Sequence, residues 1–210
     1  MKKHLLFAYC ICILLSCNNL FSQETAFEKG TIVATGGYGF PDLYRTSLRV
    51  NYNSYNSRTV SGIGPLILKG DYGIVKFKWG HSVGAGIVIG YSSTKVKYSY
   101  SNSYWSNNTF YNQTDAYKTI TIGARGTYHF FTKEKFDCYA SVGLGFNINT
   151  YSRSSNDPNG ALVVSSTGRS GVYESFTVGI RYFFNKNIGV YSELGWDISA
   201  PIQAGIALKF

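Results

Sequence analysis

Phe136-Asp137-Cys138-Tyr139-Ala140-Ser141-Val142-Gly143-Leu144-Gly145-Phe146-Asn147-Ile148-Asn149 alternates without a break. Phe136, Cys138, Ala140, Val142, Leu144, Phe146 and Ile148 fall on one side of a period of two. Asp137, Tyr139, Ser141, Gly143, Gly145, Asn147 and Asn149 fall on the other. That period belongs to an extended strand, because successive side chains of a β-strand point to opposite faces. One face is apolar throughout, and the other is polar with space made by glycine.

The same pattern recurs along the chain. Strands are predicted at about 30–38, 65–74, 81–98, 117–131, 136–151, 173–184, 188–197 and 201–210. Short turns follow the even strands at 76–80, 132–135 and 185–187, and long polar segments follow the first, third and fifth at 39–64, 99–116 and 152–172. An even count of strands with alternating short and long connections predicts an all-β fold, an eight-stranded antiparallel up-and-down transmembrane β-barrel. Closure satisfies every backbone group without water. The opposite arrangement, a soluble barrel with an apolar interior, would place the aromatics around a pocket.

Composition agrees. Tyr 18, Phe 14 and Gly 23 are abundant, and charged residues are only 15%, against about 25% in soluble domains. A mean hydropathy of -0.08 argues against a helical membrane protein but suits alternating strands, whose two faces cancel. Met1-Lys2-Lys3-His4 followed by the apolar run from Leu5 to Leu15 reads as a signal peptide over 1–22, cleaved after Ser22, with the barrel domain over 23–210. The competing reading is lipoprotein processing at Cys17, after Leu14-Leu15-Ser16. Cleavage after Ser22 leaves Cys138 as the sole cysteine, so neither an internal disulfide nor a cysteine metal site forms. Without Lys2 and Lys3 the 20 basic residues fall to 18 against 11 acidic, a balance of +7. Anionic lipid head groups fit an exported barrel better than nucleic acid.

Parity sorts the side chains. Tyr72, Tyr128, Phe130, Phe136, Tyr182, Phe184 and Phe210 point outward near the short-turn ends and read as an interfacial girdle. From Phe136 to Phe146 a strand climbs roughly 25 Å, the height of an outer-membrane apolar band. Lys69, Asp71, Arg125, Asp137, Arg181, Glu193, Asp197 and Lys209 point into the lumen. An eight-stranded barrel is filled by its own side chains, so these charges either pair as a plug or line an ion path, and Arg125 and Glu193 lie at heights where they meet.

Catalytic chemistry is sparse. His81 and His129 both fall near the turns, the place of a solvated or interfacial histidine, and no nucleotide-binding or zinc-protease motif occurs. No cofactor is expected. Lys95, Lys97 and Lys118 point outward at the upper ends of adjacent strands, where they either contact lipopolysaccharide phosphates or are ordinary rim charges. Tyr98, Tyr100, Tyr104, Trp105, Phe110 and Tyr111 lie among Ser and Asn, which describes either a recognition surface or a polar ribbon continuing the strands.

The ending Gln203-Ala204-Gly205-Ile206-Ala207-Leu208-Lys209-Phe210 resembles the C-terminal signal by which Gram-negative outer-membrane barrels are recognised for insertion, with Gly205, Leu208 and Phe210 at its defining positions. With the eight-strand pattern, the chain resembles the small outer-membrane β-barrel family of the OmpA membrane domain and OmpX-like proteins over about 30–210. That resemblance implies a monomer in the cell outer membrane, in contact with membrane lipid, lipopolysaccharide and the barrel-insertion machinery. It implies structural, porin-like or adhesive roles and transfers no catalytic residue. A surface adhesin is the alternative function, and a lipid-modifying barrel enzyme a third. The chain ends without the soluble wall-binding domain that some relatives carry.

Overall fold

A computed structural model describes residues 25–51, 57–101, 110–157, 164–167 and 170–210. The expected leader lies outside them. The elements are β1 (Ile32–Phe40), α1 (Leu43–Asn51), β2 (Ser57–Lys76), β3 (Ser82–Ser101), β4 (Phe110–Thr132), β5 (Phe136–Ser155), β6 (Val164–Thr167), β7 (Gly171–Phe183), β8 (Ile188–Asp197) and β9 (Ala200–Lys209). All strands but β6 join in one antiparallel ring, each beside its neighbour in the chain, and β1 closes on β9 from Val33 opposite Lys209 to Phe40 opposite Ile202. The Ile32 N–H donates to the Phe210 carbonyl at 3.1 Å and the Phe210 N–H to the Ile32 carbonyl at 2.8 Å. The fold is a closed eight-stranded up-and-down β-barrel. Short β6 pairs with the upper part of β5 outside this ring.

The barrel is inside out relative to a soluble one. Leu68, Leu144 and Phe146 on the exterior are 61%, 64% and 67% exposed, whereas Arg181 and Glu193 in the interior are 0% and 1% exposed. A continuous apolar exterior of this extent is a surface that hydrocarbon covers and water does not. Tyr72, Tyr128, Phe130, Phe131, Tyr182 and Phe184 are exposed around the turn end, with Trp79 at the tip of the β2–β3 turn. Phe131 joins them because a bulge between His129 and Phe131 shifts the register of β4 on β5.

The wall is uneven. Strands β2, β3 and β5 have 20 residues and β4 has 23, while β1, β7, β8 and β9 have 9, 13, 10 and 10. At about 3.3 Å per residue and about 40° of tilt, the long strands rise about 50 Å and the short ones about 25 Å. Four strands therefore stand well clear of the apolar band.

Here the structure corrects the sequence reading. Strand β2 starts at Ser57, not Pro65, and β4 at Phe110, not Tyr117; β3 and β5 run on to Ser101 and Ser155. Above the band both faces carry hydroxyls, amides and tyrosines, so no apolar alternation marks the strand, yet the backbone ladder continues. The segment 39–64 is not all loop, because α1 lies within it. Asp42 caps that helix, its Oδ1 accepting the Arg45 N–H at 3.0 Å, a standard helix start. Leu48 packs inward on Val96 and Tyr98, a burial that contributes about 1.5–3 kcal/mol. The start of the helix is tied to the turn between β8 and β9, where the Leu43 N–H donates to the Ser199 carbonyl at 2.9 Å.

Candidate functional site

The lumen is filled in layers. At the turn end, residues 25–30 fold beneath the barrel. The Ala26 N–H donates to the Lys133 carbonyl at 2.7 Å, and the Phe27 ring lies flat on His129 at 3.7 Å. Phe27 and His129 are both wholly buried. His129 is thus not the solvated strand-end residue expected from sequence. The β4 bulge sits just beyond it, so the ring keeps inward parity and finds Asp137 (Nδ1 to Oδ1, 2.8 Å) and Thr127 (Nε2 to Oγ1, 3.0 Å). Hydroxyl, imidazole and carboxylate stand in line as in a nucleophilic triad, but Phe27 covers the ring and Thr127 is 3% exposed, so no substrate reaches the hydroxyl. His81 stays at the rim, its Nδ1 2.5 Å from the Tyr128 hydroxyl.

Above this plug, seven of the eight predicted lumen charges form one chain of alternating sign. Asp197 is 2.6 Å from Lys69, and Lys69 also pairs with Glu193. Glu193 pairs with Arg125 at 3.1 Å, and Arg125 with Asp71 at 3.4 Å. Asp71 pairs with Arg181, and Arg181 with Asp137 at 3.4 Å. Lys209, the eighth, points inward at the turn end, 4.9 Å from the centre of the Phe183 ring. Charges this deep are tolerated only when paired and hydrogen-bonded. Neutral groups complete the bonding: Glu193 accepts from Tyr139 at 2.8 Å and Thr177 at 3.1 Å, Lys69 donates to Gln203 at 2.8 Å, and Tyr173 donates to Asp197 at 2.5 Å. Sequence reasoning placed Tyr139 on the polar face of its strand but did not single out Thr177, Gln203 and Tyr173, although all four share the inward parity of the charges.

Glycine makes the room. Gly179 stands opposite Tyr139 in the register, and a Cβ there would lie 2.5 Å from the Tyr139 ring. Higher up, Gly90 accommodates Ile198, whose δ-carbon would be 2.5 Å from an added Cβ. Ile198 and Ser199, in the β8–β9 turn, both have positive φ (44° and 59°), a conformation that costs a β-branched residue. The turn folds into the lumen, and Ile198 packs with Ile67, Val88 and Tyr173 as an apolar layer over the charges.

Above that layer lies an open chamber of about 590 Å³ between α1, β4, β5 and the β8–β9 turn. Higher still, Asp115 gathers the tall strands, accepting from Arg153 Nε at 2.9 Å, Gln113 at 3.1 Å, Tyr151 at 3.1 Å and Tyr98 at 3.3 Å. Burial alone would raise its pKa, but the bonds from Arg153, Gln113 and Tyr151 hold the carboxyl below the usual range. Burial, then the neighbouring Asp115 charge, pushes Tyr151 up to about 12.

Lys95 and Lys97 on β3 and Lys118 on β4 are exposed and face outward above the band, with Lys118 opposite Ser93 and Lys97 opposite Thr114. Among the described residues, no acidic side chain shares this outward surface of the tall wall. Tyr98, Tyr100, Phe110 and Tyr111 belong to the extended β3–β4 hairpin, with Tyr100 opposite Tyr111; Tyr104 and Trp105 lie outside the described residues. Of the three ending residues, Gly205 stands opposite Gly37, Leu208 faces outward, and Phe210 makes the closing bonds to Ile32. Among the described residues no cluster of His, Cys, Asp or Glu is arranged to hold a metal.

No family model and no curated protein matches the chain. Among solved structures the chain is similar to Ail, the attachment invasion locus protein of Yersinia pestis, in complex with the heparin analogue sucrose octasulfate, at 14% identity and a TM-score of 0.42, covering 87% of this chain and 99% of that one. It is also similar to the N-terminal β-barrel domain of Pseudomonas aeruginosa OprF, at 12% identity and a TM-score of 0.37, covering 87% of this chain and 97% of that one.

Proposed function

We propose that this chain is a monomeric, non-conducting outer-membrane barrel, a membrane-seated scaffold whose working surface is the tall wall of β2–β5. The observation that carries the reading is the filling of the lumen: the Phe27 plug, the alternating charge chain from Asp197 to Asp137 and the Ile198 layer lie one above another. Each cation in that chain faces anions on both sides, so no ion crossing the barrel finds an unoccupied countercharge. Within the apolar band the closed ring leaves no strand edge for a second copy. The exterior charges Lys95, Lys97 and Lys118 suit phosphates of outer-leaflet lipopolysaccharide. Gly205, Leu208 and Phe210 suit recognition by the insertion machinery. Neither histidine is placed for catalysis on an accessible substrate.

The test is conductance of the purified chain in planar bilayers. We expect no steady steps above the bare membrane; a reproducible open level from the folded barrel would overturn the reading. A second reading, adhesion or recognition through the wall, is favoured by the Tyr-rich β3–β4 hairpin standing above the band. Deleting 101–112 and scoring cell binding tests it, and undiminished binding counts against it.

A further inference from the structure

We infer that the upper chamber is a binding site for a neutral saccharide unit of one or two rings. Its volume, about 590 Å³, lies within the roughly 300–1,000 Å³ of small-molecule sites. Its floor is Tyr173 and Ile198, the top of the apolar layer. One wall is a lattice of hydroxyls and amides. Thr119 stands opposite Asn149 and Thr121 opposite Asn147 on the paired strands β4 and β5. Each threonine hydroxyl donates to its partner's amide oxygen, at 2.8 Å and 2.6 Å. The two rows are about 6.6 Å apart along the strand, a spacing on the scale of a hexose ring. Because each pair is locked before anything binds, little ordering cost remains, and the threonine oxygens retain acceptor capacity.

The remaining wall is aromatic. Tyr117 lies 5.0 Å from Tyr151 and 5.7 Å from Tyr44 on α1, rings of the kind that stack on the apolar face of a sugar. Among the described residues the charged side chains bordering the chamber are Lys118 and Glu174, of opposite sign, both exposed and on the outward parity of their strands. Asp197 below is neutralised by Lys69, and Asp115 above by Arg153. Burial also pushes Tyr44 and Tyr151 up to about 12, so their phenols stay protonated and uncharged. Phosphate, carboxylate and amine ligands find no buried, unpaired countercharge among these lining residues, and a hydrocarbon chain would leave the Thr–Asn lattice desolvated. Amides, hydroxyls and aromatic rings without charge suit a polyol. The chamber opens beside Trp196 and Val172, where the low wall ends. If the barrel sits in the outer membrane, the adjacent layer holds the sugars of lipopolysaccharide, so the saccharide comes either from there or free from the medium.

The experiment uses the full chain folded in detergent, with saturation-transfer NMR and calorimetry against N-acetylglucosamine, maltose, and dephosphorylated and intact lipopolysaccharide core oligosaccharide. We expect saturable binding of at least one neutral sugar, weakened at least tenfold by Tyr44→Ala and by Asn147→Leu, with the heat-modifiable folded band retained, and unchanged by the double Lys95→Gln, Lys97→Gln variant. Binding of maltose or N-acetylglucosamine marks a free ligand; binding of the dephosphorylated core alone marks the neighbouring lipid. Absence of binding by every neutral sugar to the folded barrel overturns the inference. So does binding of the phosphorylated core only, abolished in the lysine variant, or binding of a neutral peptide (acetyl-triglycine amide) in place of sugar. Insertion into liposomes, scored on the same preparation, reports separately on the membrane reading.

Discussion

Arg125 on β4 and Glu193 on β8 meet across the lumen, Nη2 to Oε1 at 3.1 Å, although β5 and β7 stand between their strands in the ring. Glu193 also receives Lys69, Tyr139 and Thr177, which makes it the junction of the charge chain.

Glu193→Ala should therefore be the most damaging of the lumen substitutions. It leaves Arg125 and Lys69 each short of a partner in a dry interior, a change that costs about 3–5 kcal/mol. Glu193→Gln keeps an acceptor for Tyr139 and should cost less. Urea unfolding in micelles, followed by loss of heat modifiability, measures both; equal stability of Glu193→Ala and the parent would show that the charges do not hold the barrel.

Gly179→Ala should destabilise by about 1–3 kcal/mol, the usual cost of overpacking. The new methyl meets the Tyr139 ring, which its own bond to Glu193 holds in place. Adding Tyr139→Ala should relieve the clash, so the two changes should be strongly non-additive in the same unfolding assay. Additive costs would mean that the ring can move aside.

Asp115 supplies a pH dependence. Its folded pKa is depressed, so the clasp it makes with Arg153 contributes in full above the ordinary carboxylate value of about 4 and is lost as pH falls through the lower folded value. Amide exchange at the tops of β3–β5, corrected for the intrinsic rate, should show equal protection at pH 7 and 5 and fraying only in stronger acid. Asp115→Asn should fray at every pH. Protection that survives full protonation would show the clasp to be dispensable.

Replacing Lys95, Lys97 and Lys118 together with glutamine should lower the lipopolysaccharide retained on purified barrel severalfold and remove most of its salt dependence. Stability should not change, since all three are exposed. Unaltered retention would leave the three lysines as ordinary rim charges.

Much of this architecture was legible in the sequence for a physical reason. A strand between hydrocarbon and a packed polar lumen must alternate, and β5 does so from Phe136 to Asn149. The C-terminal strand from Gln203 to Phe210 does likewise. What was hidden lies where that constraint ends. The strand tops at 57–64 and 110–116 have polar residues on both faces, so nothing distinguishes them from loop. Helix α1 is only nine residues long, with Leu48 its one buried residue, and the single i,i+4 pair Tyr44–Leu48 is too short to reveal a period. Phe27 precedes the first strand and takes its place through tertiary contacts alone, with His129, Arg181 and the apolar cluster around Phe183. Ile198 carries no sequence sign of pointing inward, because its orientation comes from a turn with positive φ.

The unequal wall has a consequence for how the molecule meets its surroundings. Among the described residues the strand parapet is higher over β2–β5 than over β7–β9 and β1, which gives the cylinder a front and a back. In the plane of a crowded membrane, neighbours approaching from β7–β9 and β1 meet a mainly apolar face, whereas those approaching β2–β5 also meet an upright facade of hydroxyls and amines. Lateral association is then directional, and rotation about the membrane normal is as much a part of this protein's address as its depth.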